Sequence, residues 1–97
     1  MPQTLPQVSE KELDAFKSLF KKRYPTSLSV ESILDSDGDE ALEVTLTFAD
    51  NVKDEDLRWT NVSEGLEAIR QMIWERDGGS RYVHMRLRRK KELSGEL

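Results

Sequence analysis

The apolar positions along this 97-residue chain change their period three times. Leu13, Phe16, Phe20 and Tyr24 recur at helical spacing, with Leu19 beside them. Ser9 and Glu12 stand in capping-box position, and Val8 and Leu13 are placed to form a hydrophobic staple. Pro25 is expected to end this helix, because the residue before a proline is pushed toward extended geometry. Lys17, Lys21, Lys22 and Arg23 would then load its last turns, where positive charge complements the helix dipole. The period next drops to two. Ser27 to Leu34 reads as a strand with Leu28 and Val30 on one face, although Ile33 and Leu34 blur its register. Ala41 to Ala49 alternates cleanly, with Leu42, Val44, Leu46 and Phe48 inward and Glu43, Thr45 and Thr47 outward. Asp37-Gly38 between the two strands is a turn dipeptide, so they form a hairpin.

Helical spacing returns at Val62, Leu66, Ile69 and Ile73. Asn61 is expected to cap this second helix, with Glu64 three residues on, and Gly78-Gly79 to stop it. From Arg81 to Lys90 the period is two again. Val83, Met85 and Leu87 point one way; Tyr82, His84, Arg86, Arg88 and Lys90 point the other. The stretch from Asp50 to Thr60 carries no period. Its Asp54-Glu55-Asp56 run can open a short helical turn, and Leu57 and Trp59 are expected to anchor the loop.

The predicted fold class is therefore α+β, a small two-layer domain of order α-β-β-α-β. Three strands form one sheet, and two helices pack on one face of it. Residues 9–90 make the domain, residues 1–8 a flexible lead and residues 91–97 a frayed tail. The third strand can lie parallel or antiparallel to the second, and the pattern alone leaves both open.

A chain of this length builds one core layer rather than a deep closed cavity. No apolar run is long enough to span a bilayer, and the N-terminus lacks the basic and apolar segments of a secretory signal. Cysteine is absent, which removes disulfides, thiolate metal sites and cysteine nucleophiles. Cytoplasmic residence is the expectation, with no membrane partner. The net charge of −4 conceals a division. Between Glu31 and Glu67 stand twelve acidic residues against two basic ones; from Ser80 onward six basic residues stand against two acidic. Such asymmetry speaks of partners.

The Asp35-Ser36-Asp37-Gly38-Asp39 run invites a calcium loop. Its glycine is fourth where such a loop needs it sixth, and Leu46 stands where the bidentate glutamate belongs. A solvated turn is the expectation, with no metal and no cofactor. His84, the one histidine, has no second ligand and no nucleophile motif near it, so no catalytic residue is assigned.

Two surfaces remain as candidates. The basic strand, Tyr82, His84, Arg86, Arg88 and Lys90, interleaves aromatic and cationic side chains as single-stranded nucleic-acid binders do. Glu31 and Glu43 should share that face and neutralise part of it. A protein interface is the other candidate, built from Trp59 and Trp74 with the acidic Asp54, Glu55 and Asp56, since exposed Trp beside Met and Arg has the composition of an interface hot spot. A non-enzymatic protein-binding or regulatory module, acting on another protein or on its own copies in the manner of a small inhibitor, immunity protein or antitoxin, is the leading expectation; nucleic-acid binding is the alternative.

The order α-β-β-α-β over Ser9 to Leu87 resembles the type II K-homology arrangement, which small BolA-like proteins also use. K-homology domains that clamp nucleic acid do so with a Gly-x-x-Gly loop between two helices. The corresponding region here, Asp50 to Asn61, has no glycine and is acidic. BolA-like proteins carry a histidine usable in iron–sulfur partnership, and no motif aligns His84 with it. The resemblance implies a fold and brings no function with it.

Overall fold

The computed structural model of the protein describes residues 5–90. The expected tail at 91–97 and the first four residues of the lead lie outside the described residues. Within them the order is α1 (Glu10–Ala15), β1 (Ser27–Leu34), β2 (Glu40–Phe48), α2 (Trp59–Arg76) and β3 (Tyr82–Arg89), with 3₁₀ turns at Lys17–Leu19 and Asp54–Leu57. The sheet order is β1-β2-β3. β1 and β2 are antiparallel, with Leu28 opposite Leu46 and Val30 opposite Val44. β2 and β3 are parallel, with Leu42 beside Val83 and Leu46 beside Leu87. The α2 crossover makes the parallel pairing reachable, as a hairpin could not.

β2 is the central strand, and every residue from Leu42 to Phe48 except Glu43 is buried. Its inner face, Leu42, Val44, Leu46 and Phe48, meets Val62, Leu66, Ile69 and Ile73 of α2, together with Leu13, Phe20, Val52 and Val83. Burying such side chains contributes roughly 1.5–3 kcal/mol each before the entropy of ordering is counted. Val83 is buried and Leu87 half-buried, while Arg86 stays exposed, so the period-two reading of the last strand holds. Lys90 follows that strand rather than belonging to it.

The hairpin turn closes as its residues dictate. Gly38 takes a positive φ of 83°, and Asp35 Oδ1 accepts from the N–H groups of Asp37 and Asp39. β2 starts one residue earlier than the alternation suggests. Leu34 is exposed, whereas Ile33, half-buried, pairs with buried Ala41 on the outer face.

The first helix is much shorter than its spacing predicts. The capping box forms: Ser9 Oγ accepts from the Glu12 N–H, and Glu12 Oε1 accepts from the Ser9 N–H. But α1 ends at Ala15, and Phe20 has extended backbone. The reason is tertiary. Phe20 leaves the helical path to place its ring over Gly65 of α2, edge-on to Phe48 at 6.3 Å, and the Lys21 N–H donates to Asn61 O. Tyr24, expected on the apolar face, is exposed, and Lys17 lies over its ring. Leu5 and Val8 of the segment read as a lead pack against the core, and Pro6 is buried.

Asn61 is not the cap of α2. The helix begins three residues earlier, after Arg58, and Asn61 Nδ2 instead donates to Glu55 O, tying the 3₁₀ turn to the helix. At the other end of α2, Asp77 and Arg81 form an ion pair at 2.5 Å with both side chains almost wholly buried. The guanidinium holds the Asp77 carboxyl below its ordinary range. This pair pins the helix end to the start of β3.

Candidate binding groove along the open sheet edge

β3 pairs with β2 on one side only; among the described residues no strand lies beyond it. Beside that open edge runs a groove of about 540 Å³. One wall is α2, through Trp59, Leu66, Glu67 and Arg70. The other is four consecutive residues of β3: Tyr82, Val83, His84 and Met85. Successive side chains of a strand point to opposite faces of the sheet. Four in a row can line one cavity only where that cavity wraps around the strand's edge, so the groove takes in the edge backbone itself.

The lining follows from the local sequence. Leu66 lies on the apolar stripe of α2; Glu67 and Arg70, three residues apart, share the next stripe and pair at 2.9 Å. Val83 and Met85 come from the inner face of β3, Tyr82 and His84 from the outer. The Tyr82 and His84 rings meet edge-on, with centroids 4.6 Å apart. Trp59 and Tyr82 are the most exposed aromatic side chains described, at 62% and 64%. Trp59 was expected to anchor its loop; Leu57 packs against the core in that role, and Trp59 projects into the groove instead. The first residue of α2 has its neighbours on the helix barrel only toward the C-terminal side, which leaves a side chain there uncovered.

Two expected surfaces thus regroup. Tyr82 and His84 of the basic strand join Trp59 of the expected protein interface in one groove. Arg86 and Arg88 continue the outer face beyond it. Arg86 pairs with Glu43 across the sheet at 3.6 Å while remaining half exposed, a geometry that contributes little in solvent. Glu31 does not reach this basic row; it sits opposite Glu43, and Glu43 lies beside His84. No ion pair to Arg88 or Lys90 forms among the described residues.

The other half of the expected interface disperses. Trp74 lies fifteen residues along α2 from Trp59, about 22 Å at the helical rise, where its ring covers Gly79. Asp54 pairs with Arg89, whose Nε also donates to Val52 O at 2.7 Å. Asp56 accepts from the Lys53 N–H inside its own turn, and Glu55 and Asp56 line a separate cavity of about 380 Å³ with Lys22 and Arg58. None of these three carboxylates lines the groove. The three hairpin aspartates Asp35, Asp37 and Asp39 do cluster, but Asp35 already spends an oxygen on the turn's own N–H groups.

The groove was invisible in the sequence because it depends on β3 being an edge and on its pairing parallel to β2. The one available signal was Trp59, a large apolar residue three before Val62 and seven before Leu66, which carries the apolar stripe one turn beyond the expected start of the helix. No described helix is long and apolar enough to cross a membrane. No protein-family model, curated protein or solved structure matches this chain.

Proposed function

We propose that this protein is a non-enzymatic protein-binding module whose contact site is the groove between α2 and the open edge of β3. The observation that carries the reading is the convergence of exposed Trp59 and Tyr82 on a groove that includes strand edge. Tryptophan and tyrosine, with arginine at the rim, are the residues on which binding energy concentrates, and an unpaired edge offers backbone groups to an extended partner. The alternative, single-stranded nucleic acid stacked on Tyr82 and His84, is disfavoured by Glu43 beside His84 and by Glu67 at the groove rim.

Selection of binders from a displayed library of random peptides tests this. Enriched peptides are expected to lose at least about tenfold in affinity on Trp59→Ala or Tyr82→Ala, the scale of a hot-spot truncation. Both positions are exposed, so thermal stability should stay close to that of the parent. Peptides that bind both variants undiminished would place the interface elsewhere. Low-salt retention of single-stranded oligonucleotides that Tyr82→Ala abolishes would favour the alternative.

A further inference from the structure

We infer that the occupant of this groove is an extended peptide of alternating apolar and acidic residues, added to the sheet as a fourth strand along β3. The inference rests on the binding reading above and specifies the partner's chemistry. A strand laid beside β3 has its side chains in two rows. Those on the inner side face the apolar Val83, Met85 and Leu66, flanked on α2 by Glu67 and Arg70, which pair with each other. Those on the outer side become cross-strand neighbours of His84, Arg86 and Arg88. The two rows therefore ask for opposite chemistries at a spacing of two.

The basic row faces outward, half exposed, and its one described ion pair is the 3.6 Å contact of Arg86 with Glu43. Carboxylates on an incoming strand complement it. The other edge of the sheet offers no such match. β1 carries Ser27, Ser29 and Glu31 on its outer side, and the cavity beside it is near 140 Å³. A second copy of this chain is also a poor occupant: pairing β3 with β3 would bring the Arg86 and Arg88 rows of both copies to one seam, and like charges there repel.

Four fluorescent octapeptide designs decide the matter with the full-length protein: alternating valine and glutamate, alternating valine and lysine, the valine–glutamate composition in two blocks, and the first peptide with alternate backbone nitrogens methylated, made in both registers (on the valines or on the glutamates). The valine–glutamate alternation is expected to bind about tenfold tighter than the lysine series, from opposite charges in two or three cross-strand pairs, and tighter than the block peptide. It should shift the amide resonances of residues 82–89, and methylation on the strand-facing edge should abolish it. Arg86→Glu with Arg88→Glu should reverse the preference toward lysine. Equal binding of the glutamate and lysine series, or binding that survives methylation in both registers, overturns the inference while peptides selected on Trp59 and Tyr82 would still uphold the groove. Failure of all four peptides overturns it likewise, and the library selection then shows separately whether the groove reading stands. Self-association through β3, or an oligonucleotide in place of the peptides, overturns it too.

Discussion

Gly65 shows how one residue can be read wrongly from its own segment. Within a helix, glycine costs about 1 kcal/mol relative to alanine, so Gly65→Ala ought to stabilise α2. In the fold, a methyl group there would stand 2.3 Å from Phe20 Cε1. That ring cannot simply turn aside, because it is buried and set edge-on against Phe48. Gly65→Ala should therefore destabilise the protein by about 1–3 kcal/mol, the usual cost of overpacking. Phe20→Leu in the same chain should recover part of the loss. Urea titration of the three variants measures this, and a Gly65→Ala protein more stable than its parent would mean that Phe20 does not sit on α2. The same contact explains the misjudged first helix. Phe16, Phe20 and Tyr24 mimic a helical face, yet the notch that diverts Phe20 lies forty-five residues downstream. No local pattern could reveal it.

At the scale of elements, α1 and α2 are joined by charge as well as by packing. Arg76 pairs with Glu12, and its Nη1 also donates to Gln7 O at 2.6 Å. The Arg76 guanidinium, with the Ser9 N–H, lowers the Glu12 carboxyl from 4.5 to about 2. A carboxyl whose folded value is depressed binds its proton more readily in the unfolded chain. The stability it contributes is then complete above pH 4.5 and fades as the pH falls toward 2. Asp77, lowered by Arg81, acts in the same direction. The urea midpoint should fall through that window, and Glu12→Gln should flatten the part of the fall that belongs to the α1–α2 clamp. A midpoint that drops identically in both proteins would show that Glu12 is not held by Arg76. Element identity was largely legible. Ser9 and Glu12 announced the cap of α1, β1 runs from Ser27 to Leu34 as its alternation indicates, and β2 is displaced by one residue. What the pattern could not supply was pairing: alternation fixes which face a side chain takes, not which neighbour a strand takes.

Over the whole molecule, the acidic and basic segments that stand apart in the sequence meet along β3. The acidic hairpin turn lies at the end of the sheet where Glu40 stands 3.8 Å from Arg81. The acidic 3₁₀ turn lies at the other end, where Asp54 meets Arg89. Both ends of β3 are thus met by carboxylates, and Arg86 and Arg88 face out from the strand between them. The composition disclosed the asymmetry but not this arrangement, which exists only because β3 runs parallel to β2 at the rim of the sheet. The groove, the exposed aromatics and the basic row all belong to that one edge. Backbone amides on an unpaired edge exchange their hydrogens with solvent quickly and slow down once a partner strand accepts from them. Hydrogen exchange on the full-length protein, free and bound to a peptide selected on it, is therefore the most direct measurement. Newly slowed amides confined to residues 82–89 and the facing turns of α2 are the predicted result; slowing along β1, or none along β3, would contradict it.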